Sequence, residues 1–174
     1  MSVLILFDTI EGHTAKIAAF AQNALAAVGQ SVVMCNTSDQ KVAPDFSDVT
    51  HVVLAAPVHE RRHPETFEVV LNASSEELSA RKTLLLSVSL NAAFADGLAE
   101  AQDYVDEMAL RTGFSASDVM LVAGAVKTGS YDYFETQVVR HVLLSDRPYD
   151  PSDGEREFTY WDALTARLTR FAAS

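Results

Sequence analysis

The stretch VVLAAPVHERRHPETF, residues 52–67, has two readings, and the choice between them decides the fold. Inside it, HERRH at 59–63 matches H-E-x-x-H, in which two histidines four apart on a helix hold zinc and the glutamate acts as general base. That chemistry needs residues 59–63 to be helical, so that both imidazoles leave one face. Pro64 follows His63 directly. The residue before a proline is biased out of the α region, and a proline inside a helix at 64 would clash with the carbonyl of Glu60. Proline is tolerated in a first turn, and Glu65 suits the positive end of a helix beginning there. Before Pro57, VVLAA is a continuous apolar run of the kind found in a strand buried on both faces. The stretch therefore reads as strand, loop and helix, with HERRH in the loop. The helical context that a zinc protease requires is missing, and no metal ligands are assigned.

The same order recurs along the chain. VLILF at 3–7 reads as a strand, DTIEGHT as a polar turn, and Ile17, Phe20, Ala21, Ala24 and Val28 as a helical stripe closed by Gly29. Further strands are expected at 31–36 (SVVMCN), 51–56 (HVVLAA), 82–89 (KTLLLSVS) and 118–125 (DVMLVAGA). Helices are expected at 64–71 and at about 93–111, the latter with Leu98, Ala101, Val105 and Met108 inward. Two more are expected at about 134–144 and 160–172, the last with Trp161, Leu164, Leu168 and Phe171 inward, and with Thr159 and Asp162 in a capping pattern at its start. Alternating strands and helices imply α/β architecture: a doubly wound parallel sheet with helices on both faces, in one domain over 1–174.

Composition narrows the function. With 13 basic against 24 acidic residues, a net charge of -11 argues against a nucleic-acid partner, whose phosphates need a basic surface. The longest apolar runs, such as LLLSV at 84–88, fall far short of the roughly 20 residues of a membrane helix. The start, MSVLILFDT, lacks the basic region of a signal peptide, so a cytoplasmic location is expected. The single cysteine, Cys35, ends an apolar run and reads as a small core residue.

In an open parallel sheet, ligands bind beyond the carboxyl ends of the strands, near the point where strand order reverses. Four loops lie there: DTIEGHT, PVHERRH, SLNAAF and GAVKTGSYDYF. The first, with Thr9, Gly12 and Thr14 leading into a helix, offers hydroxyls and free amides to an anion. It lacks the GxGxxG and GK[ST] spacings, which leaves a monophosphate as the better guess.

T-x-x-G-x-T after the first strand, five strands and an aromatic-bearing late loop resemble the flavodoxins. More closely, LILFDTIEGHTAKIA, VVLAAPVHERRHPETF, LLLSVSLN, VAGAVKTGSYDYF and REFTYWD resemble successive blocks of the flavodoxin-type, quinone-dependent protoporphyrinogen oxidases, over residues 4 to about 164. The resemblance implies strand order 2-1-3-4-5 and an FMN cofactor that carries the redox chemistry, so no catalytic side chain is assigned. It implies a phosphate site at Thr9, Glu11, Gly12, His13 and Thr14, and an isoalloxazine between Pro57, Val58, His59 and Glu60 on one side and Ser89, Leu90 and Asn91 on the other. Electrons would pass from a porphyrinogen-like small-molecule substrate through FMN to a quinone or another redox partner, with the protein peripheral to the membrane.

The sequence departs from that family in two places. Asp8 stands where the family has a hydroxyl residue, and a carboxylate beside a phosphate is repulsive unless it points away or is protonated. Glu60 and Arg61 stand where an aromatic residue and a glycine are usual. Arg61 and Arg62 are candidates to cover the ring or an acidic substrate, and Tyr131 and Tyr133 to touch a ligand from the late loop. The net charge of -11 does not suggest a surface for anionic lipid. Two alternatives stay open: a flavodoxin-like electron carrier, and a flavodoxin-like domain that has lost FMN and acts as a binding or regulatory module.

Overall fold

The structure, a computed structural model, describes residues 2–126 and 156–174. Five parallel strands, β1 (Ser2–Phe7), β2 (Ser31–Asn36), β3 (Val49–Pro57), β4 (Lys82–Ser89) and β5 (Asp118–Ala123), form one sheet in the order 2-1-3-4-5. β1 lies between β2 and β3, in register Phe7 with Asn36 and with Ala55, while Pro57 on β3 faces Val88 on β4. Strand order therefore reverses between β1 and β3, and the loops leaving them share one end of the sheet.

Burial explains the patterns in the sequence. β1, β3 and β4 are covered on both faces and read as unbroken apolar runs, whereas the edge strand β2 alternates, leaving Val33 54% exposed. One face carries α1 (His13–Ala27) and α5 (Trp161–Ala172), whose Ile17, Ala21, Leu164 and Leu168 pack on Val3, Ile5, Val53 and Leu86. The other carries α2 (Glu65–Ala73), α3 (Ser75–Ser79) and α4 (Leu98–Thr112), with Phe67, Leu71, Leu78 and Met108 on Leu4, Leu6, Leu54 and Leu85. No helix among the described residues is long and apolar enough to cross a membrane.

Several boundaries differ from expectation. Pro64, with φ -57° and ψ 138°, caps α2 from outside instead of opening it. α3 was not foreseen. Residues 91–97 wind into two single 3-10 turns, so α4 starts only at Leu98, which at this first helical position is 43% exposed instead of buried with Ala101, Val105 and Met108. These turns pack so closely that a Cβ on Gly97 would stand 2.4 Å from the Asn91 carbonyl oxygen. β5 ends at Ala123, and β6 (Ala125–Val126) pairs antiparallel with β7 (Arg156–Glu157). The capping pattern at 159–162 does not form: Tyr160 caps α5 without a side-chain bond, and the Thr159 hydroxyl donates to the Ala123 carbonyl instead, at 2.6 Å. The helix expected at 134–144, with Tyr131 and Tyr133, lies outside the described residues.

Candidate functional site

Three connections from the carboxyl ends of β1, β3 and β4 build the site. After β1 the chain turns through Asp8–Gly12, with Gly12 in the left-handed region at φ 93°, a conformation glycine adopts without steric cost. The Gly12 N–H donates to Thr9 Oγ1 at 3.0 Å, and the Lys16 N–H donates to the Gly12 carbonyl at 3.1 Å. The first turn of α1 holds no acidic side chain and no side-chain cap. The N–H groups of Thr14 and Ala15, and the buried Thr14 hydroxyl, have no hydrogen-bond partner among the described residues. A helix start in this state presents donors and a partial positive charge to an anion.

Asp8 is 2% exposed, yet its carboxylate is not turned into this loop. Its Oδ2 accepts from the Thr37 hydroxyl at 2.7 Å and the Thr66 hydroxyl at 2.6 Å, which tie it to the end of β2 and the first turn of α2.

After β3, HERRH forms a tight reversal instead of a helix. The His59 N–H donates to the Arg62 carbonyl at 2.9 Å and the Arg62 N–H to the His59 carbonyl at 3.0 Å. Glu60 (φ 48°) and Arg61 (φ 67°) occupy the two left-handed positions of this turn. Two ion pairs hold a costly conformation in place. Arg61 pairs with Glu100 of α4, and its guanidinium lies 5.4 Å from the Tyr104 ring centroid. Arg62 donates to Glu68 of α2 at 2.8 Å, and Glu68 also accepts from Arg111 at 2.6 Å. Burial alone would raise the Glu68 pKa, but the hydrogen bonds from Arg111 and Arg62 outweigh it and hold the carboxyl below its ordinary value.

His63, 1% exposed, sits beneath this turn with Nε2 at 2.9 Å from the Ser87 hydroxyl and Nδ1 unpartnered. Burial pushes its pKa down to about 4, Glu68 opposing and Arg111 adding to the shift, so the ring is neutral at pH 7. His59 and His63 thus have no common helical face, and no group of potential metal ligands gathers among the described residues.

The connection after β4 is tied to both neighbours. The Val58 N–H donates to the Val88 carbonyl at 2.7 Å, Ser89 Oγ accepts from the Ala92 N–H at 3.2 Å, and Asn91 Nδ2 donates to the Tyr104 hydroxyl at 2.9 Å. Burial, then Glu100, pushes the Tyr104 hydroxyl up to about 12. The N–H groups of Glu60, Leu90 and Asn91 have no acceptor among the described residues.

The flavodoxin domain family matches this sequence over residues 4–151. The chain belongs to the flavodoxin family. Protoporphyrinogen IX dehydrogenase [quinone] of Escherichia coli K12 is 20% identical over 165 residues, covering 94% of this chain and 91% of that protein. Among solved structures, oxidised flavodoxin 1 from Bacillus cereus has a TM-score of 0.57 at 12% identity, covering 99% of this chain and 98% of its own. Fusobacterium nucleatum flavodoxin bound to flavin mononucleotide has a TM-score of 0.52 at 12% identity, covering 99% and 95%. These structural likenesses establish the fold.

On this flavodoxin fold, Thr9, Glu11, Gly12, His13 and Thr14 fall on one loop and helix start, and Pro57, Val58, His59 and Glu60 face the Ser89, Leu90 and Asn91 connection across β3 and β4. Arg61 pairs with Glu100 of α4 and lies over the Tyr104 ring, and Arg62 pairs with Glu68 of α2, while both guanidinium side chains stay more than half exposed. Sequence reasoning missed a clasp between α1 and residues 157–161. Lys16 pairs with Glu157 at 2.6 Å, Trp161 Nε1 donates to the same carboxylate at 2.6 Å, and His13 Nε2 lies 2.8 Å from the Thr159 hydroxyl. Because that hydroxyl donates to Ala123, it accepts from His13, which fixes the proton on Nε2. Phe94 and Phe158 also meet edge to face at 5.6 Å, with Arg156 over Phe158 at 4.9 Å. Nothing local in the sequence marks either contact, because each joins segments more than sixty residues apart.

Proposed function

We propose that this chain, a single flavodoxin-like domain, is an FMN-dependent oxidoreductase that takes electrons from a porphyrinogen-like substrate and passes them to a quinone. The observation that carries the cofactor assignment is the uncapped start of α1, where Thr14 and Ala15 present unpartnered donors while Asp8, the one buried acid beside them, is held away by Thr37 and Thr66. The residues present fit a phosphate monoester. Thr9 and Gly12 shape the loop, the amides at 14 and 15 and the Thr14 hydroxyl donate, and the partial charge of the helix favours an anion. FMN, when bound, supplies one- and two-electron transfer.

The side chains then have positioning tasks. The Val58–Val88 bond holds the ring-side connections together. Glu60, Leu90 and Asn91 offer N–H donors to the polar edge of the ring, and the Arg61–Glu100 pair fixes the turn that carries Glu60. The porphyrinogen and quinone assignment rests on similarity along the length of the Escherichia coli dehydrogenase, at 20% identity. A second reading, an electron carrier, is favoured by the net charge of -11, which suits docking to a basic redox partner.

The test has two stages. Protein reconstituted with FMN and desalted is expected to keep stoichiometric flavin absorbance; a colourless product refutes both readings and leaves a binding module without flavin. Anaerobic oxidation of protoporphyrinogen with a quinone acceptor then separates them. Turnover supports the enzyme, and flavin-loaded protein that only exchanges electrons with a reductase supports the carrier.

A further inference from the structure

The loop proposed to take the phosphate is short of positive charge. Residues 8–16, DTIEGHTAK, contain two carboxylates, and their first cation, Lys16, is held by Glu157 at 2.6 Å. His13 donates to Thr159, with its Nδ1 3.8 Å from the same Glu157 carboxylate. Lys16, the cation nearest the start of α1, is thus drawn onto Glu157. Asp8 is 2% exposed, and both of its hydrogen-bond partners, the Thr37 and Thr66 hydroxyls, are neutral. It has no ion-pair partner among the described residues. Turning the carboxylate away removes direct contact with an anion in the loop, but its field remains, since a buried charge is weakly screened.

We infer that Asp8 is a specificity-determining residue that opposes the phosphate group, so that the flavin is held mainly through its uncharged ring and ribityl chain. The inference rests on the proposed flavin site and states what distinguishes this site: its affinity for FMN exceeds that for riboflavin far less than an uncharged residue at position 8 would allow. The two hydroxyl bonds also make Asp8 a structural tie between β1, β2 and α2. A purely structural role would affect both flavins equally, whereas the charge acts on FMN alone.

The experiment measures dissociation constants of FMN and riboflavin by quenching of flavin fluorescence at one pH and one ionic strength. The proteins are the wild type, Asp8→Asn and Asp8→Ser. Asn keeps an oxygen acceptor for Thr37 and Thr66 and removes the charge; Ser removes the charge and adds a hydroxyl. From the Coulomb interaction of unit charges several ångströms apart, each variant is expected to raise the FMN-to-riboflavin affinity ratio about tenfold, with riboflavin affinity within about twofold of wild type. An unchanged ratio in both variants overturns the inference and leaves the flavin assignment standing. Should Asp8→Asn fail to fold, as judged by circular dichroism, the ratio in Asp8→Ser decides alone. If no protein of the series binds either flavin, the proposed function fails and this inference fails with it.

Discussion

Glu68 is the point at which the turn beside the proposed flavin site is fastened to the body of the protein. Its side chain is 6% exposed and accepts from Arg111 Nη2 at 2.6 Å, Arg111 Nε at 3.1 Å and Arg62 Nη2 at 2.8 Å. Replacing it by Gln removes the charge and turns an amide NH₂ towards two guanidiniums. Breaking a fully buried ion pair costs about 3–5 kcal/mol. Here the guanidiniums of Arg111 and Arg62 are 32% and 52% exposed, so water resolvates them in part. The expected loss for Glu68→Gln is therefore at the lower end, about 3 kcal/mol. The coupling is unequal: Arg111 makes several contacts from a less exposed position, for about 2 kcal/mol, whereas Arg62 makes one from an exposed position and couples more weakly. Urea unfolding at pH 7 of Glu68→Gln, Arg111→Met, Arg62→Met and the two double variants measures both couplings, at unchanged m-value. The sign with pH follows from the lowered carboxyl: the folded form binds a proton less readily than the unfolded form. The contribution is complete above the ordinary pKa of 4.5 and disappears as pH falls through the lower, folded value. A Glu68→Gln protein within 0.5 kcal/mol of wild type, or a larger coupling to Arg62 than to Arg111, refutes this account of the network.

His63 and Glu60 give two further expectations from the same turn. Because His63 is buried and neutral, with its pKa down at about 4 against an ordinary 6.5, stability is highest above pH 6.5 and falls by about 3 kcal/mol as the pH drops to 4. His63→Leu, followed by urea unfolding across that range, is expected to remove most of this slope; a slope equal to wild type would show that His63 is not its source. Glu60, at φ 48°, stands where glycine has no steric penalty, so Glu60→Gly is expected to be about 1 kcal/mol more stable than Glu60→Ala in thermal unfolding. Equal stability of the two would mean that the turn is not held in the left-handed region.

Much of the site was legible because it follows from local rules. Pro64 ruled out a helix at 59–63, and the observed turn and the start of α2 at Glu65 agree with it. The polar loop with Gly12 before an amphipathic helix located the start of α1 proposed to take an anion, and Gly12 does adopt the left-handed conformation. Asp8 was recognised as an obstacle to a phosphate, but its direction was out of reach. Its partners Thr37 and Thr66 lie 29 and 58 residues away and approach only when β2 and α2 flank β1. Thr159 shows the opposite error. A capping pattern was legible at 159–162, yet the hydroxyl of Thr159 is taken by the carbonyl of Ala123 and the ring of His13, two partners from distant segments that the local pattern does not encode.

By itself the sequence determined the alternation of strands and helices, the doubly wound architecture and the end of the sheet proposed to take a ligand. Those depend on hydrophobic periodicity, proline and glycine, which act over a few residues. The tertiary structure decided what each charged residue near that end does: Asp8 turned to two hydroxyls, Arg61 and Arg62 drawn onto Glu100 and Glu68, Lys16 and His13 gathered around Glu157 and Thr159. A charge takes its partner from whatever the packing of separate elements brings within about 3–4 Å, and no local pattern encodes that distance.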